Sequence, residues 1–177
     1  MNLPNKLSII RMLCIPVIVV LMMVQDRTCQ WIALIVFLLA SLTDYLDGHI
    51  ARKYNLVTDF GRFIDPIADK LLVLSTLIML VYQGFFPPWA VVIILSRELS
   101  VDGLRLIAAT KHTVIAAGPL GKIKTVSQMI LIVWIMSLQR SVFSHWTGIV
   151  LLVIAVGMTL ISGVDYFRRN SSVFESS

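Results

Sequence analysis

Residues Asp44–Asp69 read DYLDGHIARKYNLVTDFGRFIDPIAD and carry five of the ten acidic residues in a chain of 177. Asp44 and Asp47 stand three apart and Asp65 and Asp69 four apart, spacings that place each pair on one face of a helix. Between the pairs, Arg52, Lys53, Tyr54 and Asn55 interrupt the apolar pattern, and Gly61 permits a turn. Two antiparallel helices joined there would bring four carboxylates into one pocket. Close carboxylates repel, so protonation or bound cations must relieve them. Ligands that are all oxygen favour Mg²⁺, Mn²⁺ or Ca²⁺ over zinc.

Outside this stretch the chain is mostly apolar. Hydrophobic residues make up 58% of it, against about 45–50% in soluble domains. Six apolar runs follow one another, about Leu7–Val24, Trp31–Ala51, Phe63–Tyr82, Pro88–Ala109, Ile123–Leu138 and His145–Phe167. Each approaches the roughly 20 residues that a spanning helix needs. The expected fold is therefore an all-α integral membrane protein with six transmembrane helices. Residues 1–170 form one domain and 171–177 a polar tail.

Charge sets the expected orientation. The links around residues 25–30, 83–87 and 139–144 hold only Arg27 and Arg140 as positive residues. The opposite ends hold Lys6, Arg11, Arg52, Lys53, Arg62, Lys70, Arg105, Lys111, Lys122, Lys124, Arg168 and Arg169. By the positive-inside rule, both termini and the acidic hairpin face the cytoplasm. The net charge of +5 has the same topological origin, and no soluble basic face points to nucleic acid. Asp44 lies 13 residues after Trp31 and Asp69 lies 14 before Gln83. At about 1.5 Å per residue, each is roughly 20 Å from the outer end of its span. Carboxylates at that depth are expensive and mark function.

Other features are weaker. PNKLSIIR near the start suits a short amphipathic lead-in capped by Asn5 or Ser8. Arg97, Glu98, Asp102 and Arg105 cluster in the fourth run, either as internal ion pairs or as substrate contacts. Lys122 and Lys124 begin the fifth run, where they anchor to headgroups or bind an anionic substrate. Cys14 and Cys29 lack any metal or disulfide setting. The histidines share no periodicity, and His49, though beside the acids, is not assigned as a ligand.

The order Asp44-x-x-Asp47-Gly48-x-x-Ala51-Arg52, eight residues, then Gly61-x-x-x-Asp65-x-x-x-Asp69 resembles the signature of the CDP-alcohol phosphatidyltransferases at all eight fixed positions. Asn5, Ser8 and Arg11, the Ser96-Arg97-Glu98 cluster with Arg105, and Gly121-Lys122-x-Lys124-Thr125 resemble its bacterial branch that uses glycerol 3-phosphate. The resemblance implies a six-helix bundle, usually a homodimer, in the bacterial cytoplasmic membrane with its pocket open to the cytoplasm. Such enzymes replace the CMP of CDP-diacylglycerol with an alcohol, here giving phosphatidylglycerol phosphate and CMP. It implies two divalent cations, Mg²⁺ or Mn²⁺, on Asp44, Asp47, Asp65 and Asp69, with Asp69 also the general base. It further implies a CDP site of Asn5, Ser8, Arg11, Gly48, Ala51, Arg52 and Gly61. Arg97, Arg105, Lys122 and Lys124 are the candidates for the acceptor phosphate.

Two other readings stand beside this one. The same chemistry on another acceptor, such as inositol phosphate, serine or phosphatidylglycerol, changes only the alcohol. A divalent-cation or proton transporter predicts acids spread along a path across the bilayer, whereas these gather at one depth.

Overall fold

A computed structural model of the chain describes residues 3–24, 26–53, 59–111, 115 and 118–171, the side chains of 3–5, 44–53, 59, 60, 62 and 63 excepted. The described residues are helical and contain no strand. The helices are α1 (Leu3–Met23), α2 (Arg27–Lys53), α3 (Asp59–Tyr82), α4 (Pro88–Thr110), α5 (Pro119–Leu138) and α6 (Trp146–Arg169). A short 3-10 turn, Val142–Ser144, precedes α6. Three helices hold stretches long and apolar enough to cross a membrane: Lys6–Met23 in α1, all of α5 and all of α6. The apolar part of α2, Arg27–Thr43, is shorter. Large apolar side chains such as Leu13, Leu39, Leu106 and Val153 are exposed, a surface that suits lipid and not water.

Two compact units divide the chain. In the first, residues 1–85 with 136–139, α1 packs against both α2 and α3, and α2 touches α3. Ala33, Ala40 and Ala68 are buried, as are Ile18, Phe37 and Leu72, and small side chains at buried positions let helices approach closely. Asp26 begins α2 by accepting hydrogen bonds from the backbone N–H groups of Thr28 (2.9 Å) and Cys29 (3.2 Å). Just past the end of α3, Gly84 adopts a φ of +74°, with Gly84 N–H donating to Val81 O and Phe85 N–H to Leu80 O.

The second unit holds residues 86–135 and 140–177. Pro88 opens α4 at the position where a missing N–H costs nothing. α4 packs against α6, with Val101, Leu104, Ala108 and Tyr166 forming a buried cluster. α5 is tied to α6 by Gln128, whose Nε2 donates to Thr159 Oγ1 at 3.0 Å. Both side chains are buried.

Three local expectations change. α1 is continuous from Leu3, so Asn5 and Ser8 lie inside it and neither caps it. Pro16 stands within α1 and is exposed, without ending the helix. Gly61 lies in the first turn of α3 and is buried, so the chain does not turn there. The expected break at Tyr54 and Asn55 falls outside the described residues, as do His112 and most of the polar tail.

Candidate active site

Asp65 and Asp69 stand one turn apart on α3, both half-buried. At about 1.5 Å rise per residue their Cα atoms are separated by roughly 6 Å along the helix. Ser8, buried on α1, donates its hydroxyl to Asp65 Oδ1. Arg11 follows three residues later on α1 and is fully enclosed. A guanidinium buried to that degree requires anionic or hydrogen-bonding company. α1 therefore brings both a hydroxyl and a cation to a unit whose third helix carries the carboxylates.

Hard oxygen donors a turn apart, one of them oriented by a hydroxyl, fit Mg²⁺ or Mn²⁺. Asp44 and Asp47 lie on α2 at their expected three-residue spacing, but their side chains are outside the described residues. The same holds for Gly48, Ala51 and Arg52 on α2 and for Asn5 on α1. Among the described residues, no three His, Cys, Asp or Glu side chains converge.

The basic candidates occupy the second unit. Glu98 on α4 accepts from two cations through one atom, Oε1. Arg97 Nη1 lies 3.2 Å from it, and Lys124 Nζ on α5 is also bonded to it. Glu98 and Lys124 are buried, and the Arg97 side chain keeps 11% of its exposure. Two glycines line Arg97. A methyl group on Gly163 of α6 would lie 3.2 Å from Arg97 Cγ, and one on Gly121 of α5 would lie 3.8 Å from Arg97 Nη2. Arg105 donates from Nε to Tyr166 Oη at 3.0 Å. Lys122 is exposed.

The structure thus groups Arg97 with Lys124 around Glu98, sets Arg105 against α6, and leaves Lys122 at the surface. Glu98 makes ion pairs with both Arg97 and Lys124. Tyr166 and Gly163 were not singled out from the sequence. Neither carries a local signal there: each matters through a partner more than 60 residues away, Arg105 for one and Arg97 for the other.

Comparison with known proteins agrees along almost the whole chain. The family model for CDP-alcohol phosphatidyltransferase matches residues 1–161. A protein of Bacillus subtilis (strain 168), named CDP-diacylglycerol–glycerol-3-phosphate 3-phosphatidyltransferase, is 41% identical, covering 99% of this chain and 98% of its own. A Rickettsia typhi protein of the same name is 40% identical over 98% of this chain and 99% of its own. A probable phosphatidylglycerophosphate synthase of Mycobacterium tuberculosis is 38% identical over 95% of this chain and 81% of its own.

Proposed function

The chain belongs to the CDP-alcohol phosphatidyltransferase family, and from that premise we propose that it transfers a phosphatidyl group from CDP-diacylglycerol to glycerol 3-phosphate. The products are phosphatidylglycerol phosphate and CMP. The observation that carries this reading is the half-buried Asp65/Asp69 pair on α3, with Ser8 directed at Asp65. It lies in a chain similar over nearly its full length to relatives whose names give these two substrates.

Asp44, Asp47, Asp65 and Asp69 would hold two divalent cations, Mg²⁺ or Mn²⁺, which offset the charge of the diphosphate and of the departing CMP. Asp69 also takes the proton from the 1-hydroxyl of glycerol 3-phosphate. The freed oxygen forms a bond to the phosphatidyl phosphorus as the phosphorus–oxygen bond to CMP breaks. Proton loss accompanies attack, so a carboxylate suffices as base although its own pKa is far below that of an alcohol. Asn5, Ser8, Arg11, Gly48, Ala51, Arg52 and Gly61 border the CDP moiety, with the glycines allowing close backbone approach. Ser8 acts there through Asp65. Arg97, Arg105, Lys122 and Lys124 receive the acceptor's phosphate, and guanidinium groups suit its oxygens.

The full reading adds six spans, cytoplasmic termini, a homodimer and a site facing the cytoplasm of a bacterial plasma membrane. α3 and α4 have 24 and 23 residues. At about 1.5 Å per residue, both exceed a hydrocarbon core of about 30 Å. Asp65 and Asp69 on α3 and Arg97 and Arg105 on α4 belong to the proposed site, and the positive-inside pattern supports the orientation.

The test is an acceptor panel on purified protein with CDP-diacylglycerol and Mg²⁺. CMP release with glycerol 3-phosphate, and little with serine, inositol phosphate or phosphatidylglycerol, is the expected result. A faster rate with any of those three replaces the acceptor and keeps the chemistry. Metal uptake into proteoliposomes without CMP release overturns both.

A further inference from the structure

We propose that Glu98 is a positioning residue for the acceptor-phosphate subsite, aiming the ammonium of Lys124 and the guanidinium of Arg97 at one phosphate monoester. The inference rests on the reading above that Arg97 and Lys124 take the acceptor's phosphate. Three observations carry it.

The first is geometric. Both cations meet the same carboxylate oxygen, Oε1, so each fixes the direction of the other. Lys124 comes from α5 and Arg97 from α4, and only a shared anion brings their like charges to one point. The stem of Arg97 passes close to Gly163, where a methyl group would lie 3.2 Å from Cγ, and its Nη2 passes Gly121 at ordinary contact distance. A side chain at Gly163 would crowd the Arg97 stem.

The second is charge. A structural ion pair sets one cation against one anion. Here two cations, Arg97 and Lys124, meet the single carboxylate of Glu98. Buried positive surplus is costly unless an anion joins it.

The third is an unused donor. Of the five N–H groups on a guanidinium, Arg97 gives one from Nη1 to Glu98, while its buried Nε makes no hydrogen bond. A phosphate monoester offers two negative charges and several acceptor oxygens, which matches both the surplus and the spare donor.

Without the carboxylate, two adjacent cations repel, and Lys124, on its flexible four-carbon stem, loses the contact that aligns it with Arg97. Loss of Glu98 should therefore weaken phosphate binding, even though it removes a negative charge. That sign separates positioning from simple charge balance, which predicts tighter anion binding.

The experiment measures steady-state kinetics of the purified full chain in mixed micelles, with thermal midpoints, for wild type, Lys124→Met, Glu98→Gln and Glu98→Asp. Glu98→Gln is expected to raise KM for glycerol 3-phosphate about tenfold while KM for CDP-diacylglycerol stays within about twofold. Glu98→Asp keeps the charge but shortens the reach, and should fall between. If Lys124→Met leaves KM for glycerol 3-phosphate unchanged, the subsite reading fails and Glu98's role falls with it. If Lys124→Met raises that KM and neither Glu98 variant does, Glu98's role is overturned and the subsite stands. A rise confined to CDP-diacylglycerol overturns the proposal in favour of a lipid phosphate. Should Glu98→Gln not fold, Glu98→Asp decides: a raised KM for glycerol 3-phosphate supports the proposal and a wild-type value overturns it.

Discussion

Ser8 on α1 donates its hydroxyl to Oδ1 of Asp65 on α3, 57 residues away in the chain. The bond joins a buried polar group to a half-buried carboxylate, so each satisfies a need the other has. On the proposed reading of Asp65 as a metal ligand, the bond would orient its carboxylate. Partners of this kind typically contribute 10–100-fold in metal affinity, roughly, when ligand orientation depends on them.

Ser8→Ala is accordingly expected to weaken Mn²⁺ binding about tenfold or more, read by paramagnetic resonance on the substrate-free protein. Ser8→Thr keeps a hydroxyl at the same place and should restore most of the loss. Unchanged Mn²⁺ binding in Ser8→Ala would make the bond a helix–helix tie only.

Gly148 begins α6 under crowded conditions. A methyl there would lie 2.2 Å from the carbonyl oxygen of Val142 and 2.7 Å from the ring of Trp134. Backbone cannot yield as a flexible side chain does. Gly148→Ala should cost about 1–3 kcal/mol, typical of overpacking, with a lowered thermal midpoint and altered tryptophan fluorescence. A wild-type midpoint would show that the 3-10 turn relaxes freely.

Asp26 makes the start of α2 sensitive to acid. The N–H of Cys29, then that of Thr28, holds its carboxyl below the ordinary value of 3.8. A depressed value means the cap stabilises the folded chain above pH about 3.8 and loses that contribution as pH falls through the lower folded value. The thermal midpoint of Asp26→Ala should therefore trail that of wild type at neutral pH and meet it in strong acid. A gap that persists unchanged to low pH would remove the carboxylate from the explanation.

The order of helices was legible in the sequence, and their ends less so. α6 was expected at His145–Phe167 and runs Trp146–Arg169, while α2 was expected at Trp31–Ala51 and runs Arg27–Lys53. Hydropathy stops where apolar residues stop. The backbone hydrogen-bond ladder continues into polar residues once a cap such as Asp26 supplies a start. Lys122 and Lys124 show the same effect, since α5 already begins at Pro119.

Spacing within one helix could be read, as for Asp65 and Asp69. Pairings across helices could not. Nothing near Glu98 indicates that Lys124, 26 residues on, will share its carboxylate with Arg97, and nothing near Arg105 announces Tyr166. Such partners are set by how α4, α5 and α6 pack. Hydrophobic patterning says which face of a helix is buried, not which residue meets it.

The measurement that tests the central claim most directly is CMP release from CDP-diacylglycerol on addition of glycerol 3-phosphate, with Mg²⁺ titrated, for wild type and Asp69→Asn. Wild type should release CMP only with both metal and acceptor present. Asp69→Asn should lose at least about a hundredfold in rate, on the scale of a general base's contribution, while remaining folded. Metal-independent release by wild type, or undiminished release by folded Asp69→Asn, would contradict the account.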